Sequence, residues 1–107
     1  VRDVGDDMGL FMLHKHSAAM LEIHTCILPE YRGPKAYEAG RAVLAWCWGN
    51  TAAGVVTTLV PESDRAVTLF AMRMGFHIVG IIPRSLLRGG QYLNQTLLSI
   101  VRPLCQS

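Results

Sequence analysis

The sequence has no CxxC pair, and its three cysteines, Cys26, Cys47 and Cys105, are an odd number set in apolar runs. That argues against a disulfide scaffold and for buried, reduced thiols, as in a reducing cytoplasm. No apolar run approaches the roughly 18 residues needed to cross a bilayer, and no signal-peptide pattern is present, so no membrane partner is expected. Charge is sparse: 17% of residues are charged and the formal net charge is +2. That is too mild for a nucleic-acid partner. Arg32, Arg41, Arg84 and Arg88, without interleaved aromatics, read as solvated surface. The sequence also lacks GxGxxG and GxxxxGK[ST], which removes the dinucleotide fingerprint and the P-loop. It has no repeat, linker or low-complexity tract. One domain over residues 1–107 is the expectation.

What is present favours a compact core. Half of the 107 residues are hydrophobic, which excludes a disordered chain. Leu10 to His14 and Met20 to Leu28 read as two strands joined by a turn near Ser17. In the second, Leu21, Ile23, Thr25 and Ile27 share one face, and Glu22, His24 and Cys26 share the other. The aliphatic face should be hidden and the polar face turned to a groove or to solvent. Pro34 to about Trp48 reads as a helix with Ala36, Gly40, Val43, Leu44 and Cys47 at helical spacing. Trp46 and Trp48 fall on different sides of it, so at least one is exposed. Val55 to Val60 is a β-branched run suited to burial on both faces. Ser63 or Asp64 caps a second helix ending near Met74, where Gly75 suits a left-handed residue. Phe76 to Ile82 and Gln91 to Val101 are the last strands, with a hairpin turn at Arg88-Gly89-Gly90. The order β-β-α-β-α-β-β calls for an α/β fold of the α+β, mixed-sheet kind.

The junction "LPEYRGPKAYEAG", Leu28 to Gly40, joins a strand to a helix through an arginine, a glycine and a proline. A helix N-terminus carries unpaired N–H groups and a partial positive charge, so an anion there is stabilised. Arg32 and Lys35 add charge at the same point, and Gly33 permits close backbone approach. The combination suits a pyrophosphate. Taken alone, the junction reads first as a plain β–α turn with two solvated basic residues.

The wider pattern resembles the GCN5-related N-acetyltransferases, the GNAT family. "EIHTCILPEYRGPKA", Glu22 to Ala36, looks like that family's fourth strand running into its acetyl-CoA loop. "VPESDRAVTLFAMRMGF", Val60 to Phe76, is similar to its following strand–helix segment ending in GF. The element order from Leu10 onward also agrees. The resemblance implies a short GNAT-like fold lacking the N-terminal part, with acetyl-CoA as co-substrate. It places the backbone amides of Arg32, Gly33, Lys35, Ala36 and Tyr37 around the pyrophosphate. Pro34 has no N–H to contribute. Backbone groups of Cys26, Ile27 and Leu28 would pair with the pantetheine arm like an added strand, and Asp64 would contact the cofactor arm.

Acetyl transfer needs a neutral amine beside the thioester carbon, oxyanion donors and a proton for the leaving thiolate. Glu22 is the general-base candidate, because "EIHTC" resembles the catalytic-glutamate context E-I-x-x-C of some relatives. A solvated glutamate on an open strand is the bland alternative. His24 shares its face and could relay a proton; a hydrogen-bonded strand histidine is the simpler role. His14, His16 and His24 could in principle meet across the hairpin and bind zinc, but their spacing is not a metal signature and no metal is expected. Lys35 and Tyr37 depart from the family's small loop residues, and Ala71 stands where many relatives carry an acid tyrosine.

The leading expectation is an acetyl-CoA-dependent N-acetyltransferase acting on a small-molecule or protein amine. The alternative is a catalytically silent GNAT-like structural or interaction module. Short relatives of this kind occur among phage-encoded proteins, which suggests a place in a larger assembly. A homo-oligomer or a partner subunit completing the acceptor site is the third arrangement considered. The chain begins at Val1, so an initiator methionine has been removed or sequence lies upstream.

Overall fold

The computed structural model describes residues 11–25 and 34–103. Seven elements follow in the expected order: β1 Phe11–Ser17, β2 Met20–Thr25, α1 Pro34–Asn50, β3 Val55–Pro61, α2 Arg65–Arg73, β4 His77–Arg88 and β5 Gln91–Val101. The strands form one mixed five-stranded sheet in the order β1-β2-β3-β5-β4. By compactness the chain divides into two units, residues 1–56 with 101–107, and residues 57–100.

In the first unit, β1 and β2 form an antiparallel hairpin. Ser17 Oγ accepts from the Ala19 amide at 3.2 Å, closing the turn where the sequence suggests it. Leu21 and Ile23 are buried as expected of the aliphatic face. Glu22, on the face expected to be open, is buried as well, at 8% exposure. Its covering is described below.

Helix α1 opens with Pro34, whose fixed φ and missing N–H suit a first turn. Ala36, Ala39, Val43, Leu44 and Cys47 bury one stripe of it, while Trp46 is exposed and Trp48 half-buried. Burial pushes the Cys47 thiol above its ordinary range. A raised thiol pKa means the folded state holds the proton that the unfolded chain releases. The contribution is therefore complete below the ordinary thiol pKa and is lost as pH rises toward the folded one. Stability should fall in that alkaline window. Alkylation mapped by mass spectrometry should find Cys47 unmodified in the native protein.

The second unit holds most of β3, then α2, β4 and β5. Val56, Thr57, Thr58 and Val60 are buried on both sides of β3, as its continuous β-branched run implies. Asp64 is the N-cap of α2, its carboxylate accepting from the Val67 amide at 3.3 Å. Gly75 follows the helix with φ 109°, and a Cβ there would lie 3.1 Å from Ile100 Cδ1. Strain and crowding coincide, so Gly75→Ala should cost about 1–2 kcal/mol, read from urea unfolding.

β4 is longer than expected. The sequence puts its end at Ile82, before Pro83, but the strand continues to Arg88. Proline is tolerated on an edge strand, where its missing N–H interrupts no necessary ladder bond, and β4 is an edge in the strand order. The register shifts between Ile82 and Leu86, with Arg84 at φ 55°. Asn94 ties this bulge down, its Oδ1 accepting from the Arg84 amide at 3.0 Å. Gly89 and Gly90, at φ 59° and 77°, make the expected hairpin.

Candidate functional site

A cluster of ionisable side chains lies on the β1–β2 hairpin. Antiparallel pairing sets His14 opposite Glu22 and Met12 opposite His24. Residues 14 and 16 of β1 and 22 and 24 of β2 thereby lie toward one face, and the register shifts between Lys15 and Ser17. The diagonal neighbour reaches Glu22: His16 Nε2 lies 2.7 Å from Glu22 Oε1. His24 Nε2 lies 2.9 Å from Glu22 Oε2. His14 packs edge-on against His16, with ring centroids 4.7 Å apart at 77°.

This explains how a strand glutamate can be buried. Each carboxylate oxygen is matched by a ring nitrogen, which offsets part of the cost of leaving water. The Glu22 side chain is 11% exposed, against 39% for His16 and 47% for His24. The imidazoles form the wet rim and the carboxylate the base of the cluster. Among the described residues, no group of three His, Cys, Asp or Glu side chains is disposed to hold a metal ion.

The sequence points to Glu22 and His24 but gives His16 no role beside Glu22. Its signal is parity: two even-numbered histidines on β1 face two even-numbered polar residues on β2 once the turn closes at residues 17–20. Only the register, a property of the paired strands, makes that signal usable.

The expected cofactor residues are divided. Cys26, Ile27, Leu28, Arg32 and Gly33 lie outside the described residues. Lys35, Ala36 and Tyr37 form the first turn of α1 with Pro34, in which the N–H groups of Lys35 and Ala36 have no acceptor within the helix. That turn carries no acidic residue, so nothing in it opposes an anion. Ala36 is fully buried and Tyr37 half-buried. Asp64 caps α2. Ala71 is buried within α2, and its carbonyl accepts from the Phe76 amide at 3.0 Å; it offers no hydroxyl.

A family model described as "Protein of unknown function (DUF2824)" matches residues 3–105. The chain belongs to that family. No curated protein matches it by sequence. Among solved structures, this DUF2824 member is similar to spermidine N-acetyltransferase from Vibrio cholerae in complex with CoA and spermine. The TM-score is 0.78 at 18% identity, over 88% of this chain and 57% of that one. It is also similar to an acetyltransferase of the GNAT family from Bacillus anthracis, with TM-score 0.78 at 17% identity, over 92% of this chain and 61% of that one. The chain thus spans about three fifths of the length of these structures. At such identity the likeness establishes the fold, which is that of the GNAT acetyltransferases. No helix among the described residues is long and apolar enough to cross a membrane.

Proposed function

We propose that this protein is an acetyl-CoA-dependent N-acetyltransferase acting on a primary amine. The observation that carries the reading is the first turn of α1: a proline start, the first-turn amides of Lys35 and Ala36, and no acid. This turn follows a strand in a GNAT fold, and one solved neighbour holds CoA and spermine. The pyrophosphate would be held by these amides with those of Arg32 and Gly33. The backbone of Cys26–Leu28 would pair with the pantetheine arm, and Asp64 would stand near it as the cap of α2. Bound acetyl-CoA supplies the activated acyl group. This chain's residues orient it and take a proton from the acceptor. Glu22 and His24 belong to the group that handles that proton.

The test is calorimetry with acetyl-CoA and with CoA. Micromolar binding of both is expected, weakened about tenfold by Arg32→Ala, a loss of about 1.4 kcal/mol. No heat with either ligand at high micromolar concentration removes the reading. The acceptor class is read next, from acetylation of polyamines, amino acids and lysine peptides.

A second reading, a silent GNAT-like module within an assembly, is favoured by the edge strand β4. Its first six residues, HIVGII, carry no Asp, Glu, Lys or Arg, yet Ile78, Val79, Ile81 and Ile82 are all exposed. Exposed apolar edges of this kind are usually covered. CoA binding without transfer to any amine, in a protein that light scattering shows to be oligomeric, would favour this reading over the first.

A further inference from the structure

Glu22 is the residue that its sequence context selects as the base, but its environment suits a different task. One of its oxygens is hydrogen-bonded to His16 Nε2 at 2.7 Å, the other lies at ion-pair distance, 2.9 Å, from His24 Nε2, and its side chain is the least exposed of the three. Each oxygen keeps a second lone pair, but at 11% exposure the carboxylate is harder for an amine to reach than either half-exposed ring. An ionised carboxylate is an acceptor only, so a ring nitrogen held this close to it turns a hydrogen, not a lone pair, toward it. The two neutral imidazoles are therefore fixed as Nε2–H tautomers, with the lone pair on Nδ1. A buried carboxylate that sets the tautomer of a more exposed imidazole is the arrangement in which the imidazole does the proton chemistry.

We infer that His24 Nδ1 is the base for the acceptor amine, with Glu22 as its positioning residue and His16 as the second anchor of that carboxylate. This role rests on the proposed acetyl transfer. His24 is favoured over His16 by place. It stands one residue before the end of β2 at Thr25, the end that leads into the expected cofactor segment. Glu22 lies about 7 Å further back along the strand. His16 sits at the hairpin end, its ring against His14.

The acceptor ammonium gives one proton to His24 Nδ1, making an imidazolium whose Nε2–H faces the Glu22 carboxylate. The neutral amine attacks the thioester carbonyl, the C–N bond forms and the C–S bond breaks. The second proton on that nitrogen goes to the departing thiolate, and His24 returns its proton to solvent. Amide, free thiol and one proton result.

The other titratable groups near His24 on these strands are His14, His16 and Glu22; Lys15 pairs with Leu21 on the opposite parity, and β3 carries none. The first test is independent of turnover: long-range 1H–15N spectra of the side-chain imidazoles at alkaline pH. His16 and His24 should both be Nε2–H tautomers, and Glu22→Ala should return both to mixtures, with His14 unmoved. A wild-type His24 in the Nδ1–H form, or one indifferent to Glu22→Ala, overturns the inference. The second uses acetyl-CoA with spermidine as the probe amine. His24→Gln should lower kcat about 100-fold. Glu22→Gln, whose amide oxygen can still serve one imidazole, should lower it only about tenfold. Full wild-type activity in His24→Gln, or a deeper loss in Glu22→Gln than in His24→Gln, sinks the base assignment while leaving acetyl transfer intact. A wild type that binds no CoA and transfers to no amine removes the proposed function itself.

Discussion

Glu22→Ala should slow acetylation of the acceptor amine by about 100-fold, equivalent to about 2.7 kcal/mol of transition-state stabilisation, with little loss of stability. The two effects separate because the carboxylate does different things for each. Toward stability, Glu22 is a buried charge held by two half-exposed rings. Desolvation offsets much of what the hydrogen bonds contribute, and after truncation both imidazoles can hydrate. Toward catalysis, the same bonds fix which nitrogen of each ring carries the hydrogen, and alanine fixes neither. The rate falls through lost orientation rather than through a lost proton acceptor, so CoA affinity should stay within about twofold. Single-turnover acetylation, urea unfolding and calorimetry on one preparation check all three parts. A fall in CoA affinity equal to the fall in rate would show that Glu22 supports the cofactor segment instead.

What could be read from the chain beforehand followed how local each signal was. The start of α1 at Pro34, the stripe from Ala36 to Cys47, the Asp64 cap and the positive φ of Gly75 depend on residues within a turn of one another. The sequence therefore shows them directly. The two glycines after Arg88 are equally local, and the hairpin stands where they put it. The candidate site was half legible. Residues 22 and 24 share a face by alternation alone, but His16 joins them only through a register that one strand cannot announce. Burial of Glu22 followed from that same pairing, so an open polar face was the natural expectation without it. The strand expected to end at Ile82 runs on to Arg88 through Pro83. A proline is tolerated there because the strand lies at an edge, a fact of sheet order. Arg102 gave no signal at all, since its three acceptors lie about fifty residues earlier.

That arginine carries a larger expected stability effect than Glu22 or Gly75. Arg102→Ala should destabilise the fold by about 3 kcal/mol and lower Tm by more than about 10 °C. Helix α1 has no basic residue in its last turn, so its C-terminal carbonyls and partial negative charge lack a local cation. Side chains nearby satisfy part of this end: Asn50 Nδ2 donates to Trp46 O at 3.0 Å, and Thr51 Oγ1 to Cys47 O at 2.7 Å. Arg102 reaches one more helix carbonyl and two in the segment just after the helix. Its Nε donates to Ala53 O, Nη1 to Trp48 O and Nη2 to Thr51 O, each at 2.7 Å. The guanidinium lies over the Trp48 ring at 5.2 Å, and the Arg102 amide donates to Gly54 O at 2.8 Å. Alanine keeps that last bond and leaves three carbonyls without their charged donor. Lysine restores the charge but carries one compact ammonium where the guanidinium presents a planar fork. Arg102→Lys should therefore recover roughly a third of the loss. Urea unfolding of the wild type and the two variants decides it: a lysine variant as stable as the wild type would mean that charge at the helix end matters and the fork does not.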